Sequence, residues 1–135
     1  MCGTTPYLFV YGLLMQKAGS QMNTFLSDRA ELIARARVMG KLYQVAHYPG
    51  MVISPNPNDE VHGELYYMED PDSVLPQLDE FEEYFPDDIE GSVYIRVKKP
   101  VKTDSGAKHT AWMYLYNQPV ENLKEIPSGN FIDTL

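Results

Sequence analysis

Apolar residues alternate with polar ones, or form short runs rich in β-branched and aromatic residues, in six segments of the chain. These segments are residues 7–11, 37–45, 51–54, 61–68, 92–103 and 108–117. A period of two is typical of β-strands, whose successive side chains point to opposite faces of a sheet. Six twisted strands in a short chain favour closure into a barrel, because closure removes exposed strand edges. The pattern therefore predicts an α+β fold built on a small β-barrel of about six strands.

Two other regions have the spacing of a helix. Residues 15–36 are predicted to form a helical region that is broken at 18–20. The second helix lies near the middle of the chain, where Asp72 or Ser73 can cap its N-terminus and Pro76 falls in its first turn. The fold prediction thus combines the barrel with one N-terminal helical region and one mid-chain helix.

The first predicted strand ends in a glycine, within the segment Tyr11-Gly12-Leu13-Leu14. Glycine lets a ligand approach the main chain closely and adopts backbone angles that other residues disfavour. A helix predicted to begin around residues 14–16 adds unpaired N–H groups and a partial positive charge. Such a turn suits a small anion such as a carboxylate. An ordinary first strand followed by a tight turn would produce the same pattern.

One carboxylate of the mid-chain helix falls on its apolar face. At about 100° per residue, Glu82 lies inside the apolar stripe, whereas Glu80 and Glu83 face outward. The stripe consists of Val74, Leu75, Leu78, Phe81 and Phe85. A buried, unpaired carboxylate is costly, and burial raises its pKa toward neutrality, which suits a general acid and base. The alternative is a structural role, in which Glu82 pairs with Arg96 or caps a buried N–H group.

Composition and charge exclude several classes of partner. The 135 residues are expected to form one domain, and their net charge of −8 argues against binding to nucleic acid or to an anionic membrane surface. Cys2 is the single cysteine, so neither an intramolecular disulfide nor a cysteine-based metal cluster can form. His47, His62 and His109 lack the spacing of metal ligands. Without a signal-peptide pattern or a long apolar run, the chain is expected to be cytoplasmic.

Several short segments occur together in a distinctive order and spacing. Tyr-Gly-Leu-Leu stands at 11–14 and Leu-Asp-Glu-Phe-Glu at 78–82. The other segments are residues 40–43, 48–50, 61–66, 94–96 and 111–114. Over nearly the whole chain they resemble the γ-glutamylcyclotransferase-like family, which includes γ-glutamylamine cyclotransferases and AIG2-like proteins. The resemblance implies a single domain over residues 1–135, a small mixed barrel whose cavity holds a γ-glutamyl group.

The resemblance also implies an activity and the residues that perform it. Members of the family cyclise a γ-glutamyl group to 5-oxoproline and release the attached amine or amino acid, without a metal or cofactor. This is lyase or acyltransferase chemistry by intramolecular aminolysis. Glu82 matches the catalytic glutamate of the family, which acts as general acid and base. The substrate-binding residues that the resemblance implies are Tyr11, Gly12, Leu13, Leu14 and Tyr94.

Two positions depart from the family pattern. Leu13 stands where the family usually has Ser or Thr, so the loop keeps its amide but lacks a hydroxyl. Glu83 stands where many relatives carry glycine. Two other functions therefore stay open: a module that binds a γ-glutamyl ligand without catalysis, and a hydrolase that removes γ-glutamyl groups and releases glutamate.

Overall fold

Within residues 5–12, 15, 21–46 and 48–131, which the computed structural model describes, five strands close into a barrel. The strands of the fold are β1 (Tyr7–Val10), β2 (Ala30–Gln44), β3 (Pro49–Ile53), β4 (Glu60–Met68), β5 (Tyr94–Thr103), β6 (Lys108–Tyr116) and β7 (Lys124–Glu125). The helices are α1 (Gln21–Ser27) and α2 (Pro71–Phe81). Neither of these described helices is long and apolar enough to cross a membrane.

The barrel strands follow the order β2, β4, β1, β6 and β5, and β5 closes the barrel by pairing again with β2. β1 and β6 run parallel, whereas the other barrel neighbours are antiparallel, so the barrel is mixed. The second half of β2, residues 40–44, pairs with β3, and its end also pairs with β7. This extension holds β3 where the backbone of Pro49 and Met51 meets tyrosine side chains from other parts of the chain.

The α+β barrel fold expected from the sequence is confirmed. Each of the six predicted strands is present within the described residues, which also contain a seventh, the two-residue β7. β7 is too short to have an apolar pattern of its own, and it exists because it pairs with the end of β2.

The prediction of a helix over the last part of residues 15–36 is wrong. α1 ends at Ser27, and the chain from Ala30 onward is the first half of β2. The register of β2 against β4 shifts between Leu32 and Ala34. A bulge of this kind places an extra residue in one strand and interrupts the alternation of its side chains. The strand was therefore not visible as a period of two.

The core consists of large apolar side chains from the barrel strands and from one face of α2. The fully buried members include Leu8, Val61, Leu65, Met68, Leu78 and Met113. Burial of one such side chain contributes about 1.5–3 kcal/mol to folding. α2 is consequently held against the barrel by its apolar face, which sets the position of the residues at its C-terminal end.

α2 begins earlier than the sequence predicts. Its N-cap residue is Asp70, and Pro71 follows in the first turn, where a missing N–H costs little. The expectation that Asp72 or Ser73 caps the helix is therefore wrong. Pro76 lies inside the helix and not in its first turn, as the prediction had it.

α2 also ends before the apolar stripe does. Val74, Leu75 and Leu78 are buried as predicted. The prediction that Phe81 and Phe85 are buried is wrong, because 40% and 45% of their surfaces are exposed. Phe81 is the last residue of the helix and Glu82 is its C-cap, so the angles of a helical wheel no longer apply at Phe85.

Candidate active site

A cavity of about 190 Å³ lies where the end of β1, the start of β3, the C-terminal end of α2 and the start of β5 meet. Aromatic side chains supply much of its wall: Phe9, Tyr11, Tyr48, Phe81, Tyr94 and Tyr114. Gly12, Glu82 and Glu83 line the same cavity. Four of the site residues expected from the sequence, Tyr11, Gly12, Glu82 and Tyr94, are thus brought together by the fold.

The loop after β1 is only partly described. A Cβ atom added at Gly12 would lie 2.9 Å from two ring carbons of Pro49, so any other residue would push these segments apart. Glycine at this position is therefore required by packing between two walls of the cavity. Leu13 and Leu14 lie outside the described residues. The helix start predicted at 14–16 falls largely on such residues too, and the first described helix is α1.

Two buried tyrosine hydroxyls tie the walls of the cavity together. The Tyr11 hydroxyl donates to the carbonyl of Tyr114 at 2.5 Å and accepts from the N–H of Met51 at 3.2 Å. The Tyr94 hydroxyl donates to the carbonyl of Pro49 at 2.5 Å. Burial raises the pKa of both phenols above the ordinary tyrosine value, because the phenolate would lose its hydration. Both groups therefore stay neutral. The Tyr94 hydroxyl holds β3 by donating to Pro49, and the Tyr11 hydroxyl joins β3 to β6 by accepting from Met51 and donating to Tyr114.

The carboxyl of Glu82 lies at the cavity without a hydrogen-bond or ion-pair partner among the described residues. The residue as a whole is half-buried. Loss of hydration raises the pKa of its carboxyl from 4.5 to about 8. Its negative charge, when present, in turn raises the pKa of the nearby phenols of Tyr11, Tyr94 and Tyr114. A carboxyl with a pKa close to neutrality can both accept and donate a proton under physiological conditions.

The structural alternative for Glu82, an ion pair with Arg96, is wrong. Arg96 binds Asp79 instead, with Nε donating to Oδ1 at 2.7 Å and Nη2 donating to Oδ2 at 3.1 Å. The Tyr114 hydroxyl also donates to Oδ1 of Asp79, at 2.7 Å. The other structural alternative is that Glu82 caps a buried N–H group. Among the described residues, no N–H group donates to its carboxyl. Arg96 therefore forms its ion pair with Asp79, which lies one helical turn before Glu82.

The network of Asp79, Arg96 and Tyr114 was not predicted from the sequence. The sequence signals only one part of this network. Asp79 lies three residues before Glu82, and residues three apart share a face of a helix, so Asp79 is expected on the same side as Glu82. The partners of Asp79 come from β5 and β6, 17 and 35 residues away. Tyr114 joins this network to the cavity, because its hydroxyl binds Asp79 while its carbonyl accepts from Tyr11.

No group of three or more potential metal-ligating side chains is found in the part of the chain that the structure describes. The chemistry that the site offers comes from its own side chains: an enclosed carboxyl of near-neutral pKa, neutral phenols and a glycine turn. Such a cavity suits a small polar ligand that exchanges a proton with Glu82.

Comparisons with known proteins agree on one family. A family model described as gamma-glutamyl cyclotransferase, AIG2-like, matches residues 8–133. YtfP of Escherichia coli strain K12, named a gamma-glutamylcyclotransferase family protein, is 35% identical over 127 residues, or 93% of this chain and 96% of YtfP. The solution structure of ytfP from Escherichia coli superposes with a TM-score of 0.65, at 30% identity over 95% of this chain and 97% of that protein. The crystal structure of YkqA from Bacillus subtilis gives a TM-score of 0.70 at 25% identity, over 95% of this chain and 40% of YkqA.

Proposed function

The chain belongs to the gamma-glutamyl cyclotransferase, AIG2-like family, and we propose that it converts a γ-glutamyl amine or a γ-glutamyl amino acid to 5-oxoproline and the free amine. Glu82 is the catalytic general acid and base. The residues that hold the substrate are Tyr11, Gly12, Leu13, Leu14 and Tyr94. One observation carries the proposal: the carboxyl of Glu82 lies at the cavity with no partner among the described residues, and its pKa is raised to about 8.

The reaction transfers one proton from the attacking nitrogen to the leaving nitrogen. The neutral α-amine of the substrate attacks its own γ-carbonyl carbon, and the Glu82 carboxylate accepts the proton that this nitrogen loses as the ring C–N bond forms. Glu82 then donates that proton to the leaving nitrogen as the original amide C–N bond breaks. The products are 5-oxoproline and the free amine, Glu82 is again a carboxylate, and no water is consumed.

The raised pKa of Glu82 suits both halves of this cycle. General acid–base catalysis is most efficient when the pKa of the catalytic group lies near the working pH, because the group must be a good base first and a good acid afterwards. An ordinary exposed glutamate, with a pKa near 4.5, would be too weak a base for an amine. Burial against apolar and aromatic neighbours raises the pKa, and no lysine, arginine or histidine among the described residues lines the cavity to lower it again.

The cavity has the size and rigidity that an intramolecular attack needs. A volume of about 190 Å³ suits a folded γ-glutamyl group better than an extended peptide. The hydrogen bonds of the Tyr11 and Tyr94 hydroxyls fix two of its walls. Holding the substrate amine against its own carbonyl provides effective molarities of roughly 10⁵–10⁸ M in well-oriented reactions.

The loop that follows β1 binds the negative charge of the substrate. Backbone N–H groups from Gly12 to Leu14 donate to the α-carboxylate or to the oxyanion that develops on the γ-carbonyl oxygen. One such donor is worth roughly 3 kcal/mol to a reaction of this type. Leu13 has no hydroxyl, so binding in this loop depends on main-chain groups.

The proposal is tested by measuring the 5-oxoproline that is released from a panel of γ-glutamyl amines and γ-glutamyl amino acids. The expected result is 5-oxoproline from at least one substrate with the native protein, and a loss of at least about a hundredfold with Glu82→Gln, since a positioned acid–base group contributes roughly 10²–10⁴-fold. Glu80→Gln is the matched control, because Glu80 is an exposed carboxylate of the same helix and does not line the cavity.

Two other outcomes would identify a different function. Saturable binding of a γ-glutamyl compound with no product would identify a binding module, which the loss of the loop hydroxyl at Leu13 favours. Release of glutamate in place of 5-oxoproline would identify a hydrolase. Unchanged turnover in Glu82→Gln would overturn the role of Glu82.

A further inference from the structure

Glu83 is a second carboxylate on the wall of the same cavity, directly after Glu82. Its φ angle is 55°, and among the described residues it is the only one other than glycine with a positive φ. This left-handed conformation is strained for a side chain, because the Cβ atom crowds the following carbonyl oxygen.

The strain follows from the way α2 ends. The N–H of Glu83 donates to the carbonyl of Glu80 at 3.2 Å, and the N–H of Tyr84 donates to the carbonyl of Asp79 at 2.9 Å. These two bonds form a Schellman motif, which places the residue after the helix cap in the left-handed region and favours glycine there. A glutamate at this position of a cavity wall therefore points to a role in what the cavity binds.

The charged residues that line the cavity are acidic in the part of the chain that the structure describes: Glu82 and Glu83. No lysine, arginine or histidine lines the cavity among the residues that the structure describes. Arg96 is close by, but its charge is matched by Asp79. Glu82, in the carboxylate form that is active, adds to the negative charge of Glu83. A group that enters next to Glu83 therefore meets a net negative potential.

We propose that Glu83 selects the leaving group: it favours γ-glutamyl conjugates of amines that carry a second, positive charge over conjugates whose leaving group carries a carboxylate. The inference rests on the proposed function, since it names the substrate class of the same site. The carboxylate of Glu83 attracts an ammonium group on the leaving amine and repels the carboxylate of a leaving amino acid. Because Glu83 is exposed, water and salt screen both effects, so each amounts to about a two- to fivefold change in kcat/KM.

Three substrates of equal length test the inference. They are the γ-glutamyl conjugates of 1,4-diaminobutane, of pentylamine and of 4-aminobutanoate, whose far ends are positive, neutral and negative. For each protein, kcat/KM is determined from the release of 5-oxoproline and divided by the value for the neutral conjugate. The native protein is compared with Glu83→Gln, which keeps the shape of the side chain, and with Glu80→Gln, which changes the net charge equally at a residue outside the cavity wall.

The expected result is a preference of the native protein for the positive conjugate over the negative one. Glu83→Gln lowers the ratio of their kcat/KM values by roughly 4- to 25-fold, and Glu80→Gln changes it by less than about twofold. The native preference also shrinks as the salt concentration rises.

Two results would overturn the inference. One is an equal or inverted preference in the native protein, and the other is a ratio that Glu83→Gln leaves unchanged. In both cases 5-oxoproline would still form, and the proposed function would stand. Absence of 5-oxoproline from all three conjugates and from the wider γ-glutamyl panel would count instead against the proposed function, so the two failures can be told apart.

Discussion

Arg96 holds Asp79 through two parallel hydrogen bonds, from Nε to Oδ1 at 2.7 Å and from Nη2 to Oδ2 at 3.1 Å. Only 18% of the Arg96 side chain and 13% of the Asp79 side chain are exposed. The hydroxyl of Tyr114 also donates a hydrogen bond to the carboxylate of Asp79. This pair connects β5 to the last turn of α2, and so it fixes the helix end from which Glu82 reaches the cavity.

Asp79→Asn is expected to lower the free energy of unfolding by about 2–4 kcal/mol, because it leaves the guanidinium of Arg96 partly buried without its counter-charge. Urea denaturation measures the change. Arg37→Gln is the matched control, since Arg37 and Glu60 form an ion pair at 3.2 Å whose side chains are 32% and 41% exposed. Its loss is expected to cost less than about 1 kcal/mol. Equal effects of the two variants would contradict the role given to Asp79.

The catalytic efficiency, kcat/KM, for the formation of 5-oxoproline is expected to rise with pH and to level off above pH 8. The free enzyme is active with Glu82 as carboxylate, and the pKa of this group is about 8. Well below that value, the active fraction grows about tenfold per pH unit. A profile measured from about pH 6 to about pH 9 checks this. A flat profile would show that the ionisation of Glu82 does not limit the reaction.

The stability of the fold is expected to fall as the pH rises from about 4.5 to about 8, through Glu82. In this window the unfolded chain has released the proton of Glu82, whereas the folded protein still keeps it, since its pKa is raised to about 8. The folded state binds more protons, so each pH unit lowers its stability by at most about 1.4 kcal/mol.

Glu82→Gln removes this dependence, because its amide is neutral at every pH. The measurement is the difference in free energy of unfolding between Glu82→Gln and the native protein, at several pH values in the same buffer series. The difference is expected to shift in favour of the variant as the pH rises, and contributions from other groups cancel. A difference that is constant across the window would contradict the raised pKa of Glu82.

Glu83→Gly is expected to raise the free energy of unfolding by about 1 kcal/mol. Glycine adopts the left-handed conformation at this position, where φ is 55°, without the steric cost of a Cβ atom. Two controls are available in a thermal or urea denaturation series. Glu83→Ala removes the charge but keeps the strain, so it is expected to bring little gain, and Glu80→Gly is expected to destabilise by about 1 kcal/mol, because it places glycine inside a helix. A loss of stability in Glu83→Gly would contradict the strain.

Much of the architecture follows from local sequence pattern. Each predicted strand was recognised by alternation or by a short β-prone run, because a strand that faces the core on one side repeats its apolar residues every two positions. The same local logic placed Glu82 on the apolar side of its helix, since the N–H of this C-cap residue still donates to the carbonyl of Leu78 at 2.8 Å, as in a helix. The residues quoted for the family resemblance are likewise short contiguous segments.

The prediction failed where a distant part of the chain decides the local structure. The segment that begins at Ala30 is a strand because it pairs with β4, and the bulge between Leu32 and Ala34 masks its period. Phe85 remains exposed because α2 ends before it in a Schellman motif, whose hydrogen bonds are not visible in an apolar pattern.

The sequence by itself determined the strands, the apolar face of α2, the carboxylate on that face and the family to which the chain is similar. Only the tertiary structure decided that Arg96 belongs to Asp79, that Glu82 is left unpaired among the described residues, and that Glu83 lies strained on the cavity wall. The physical reason is the distance along the chain over which each interaction acts. Side-chain period and turn preference act between neighbours in the chain, whereas charge pairing, desolvation and cavity shape depend on groups that meet only when the barrel closes.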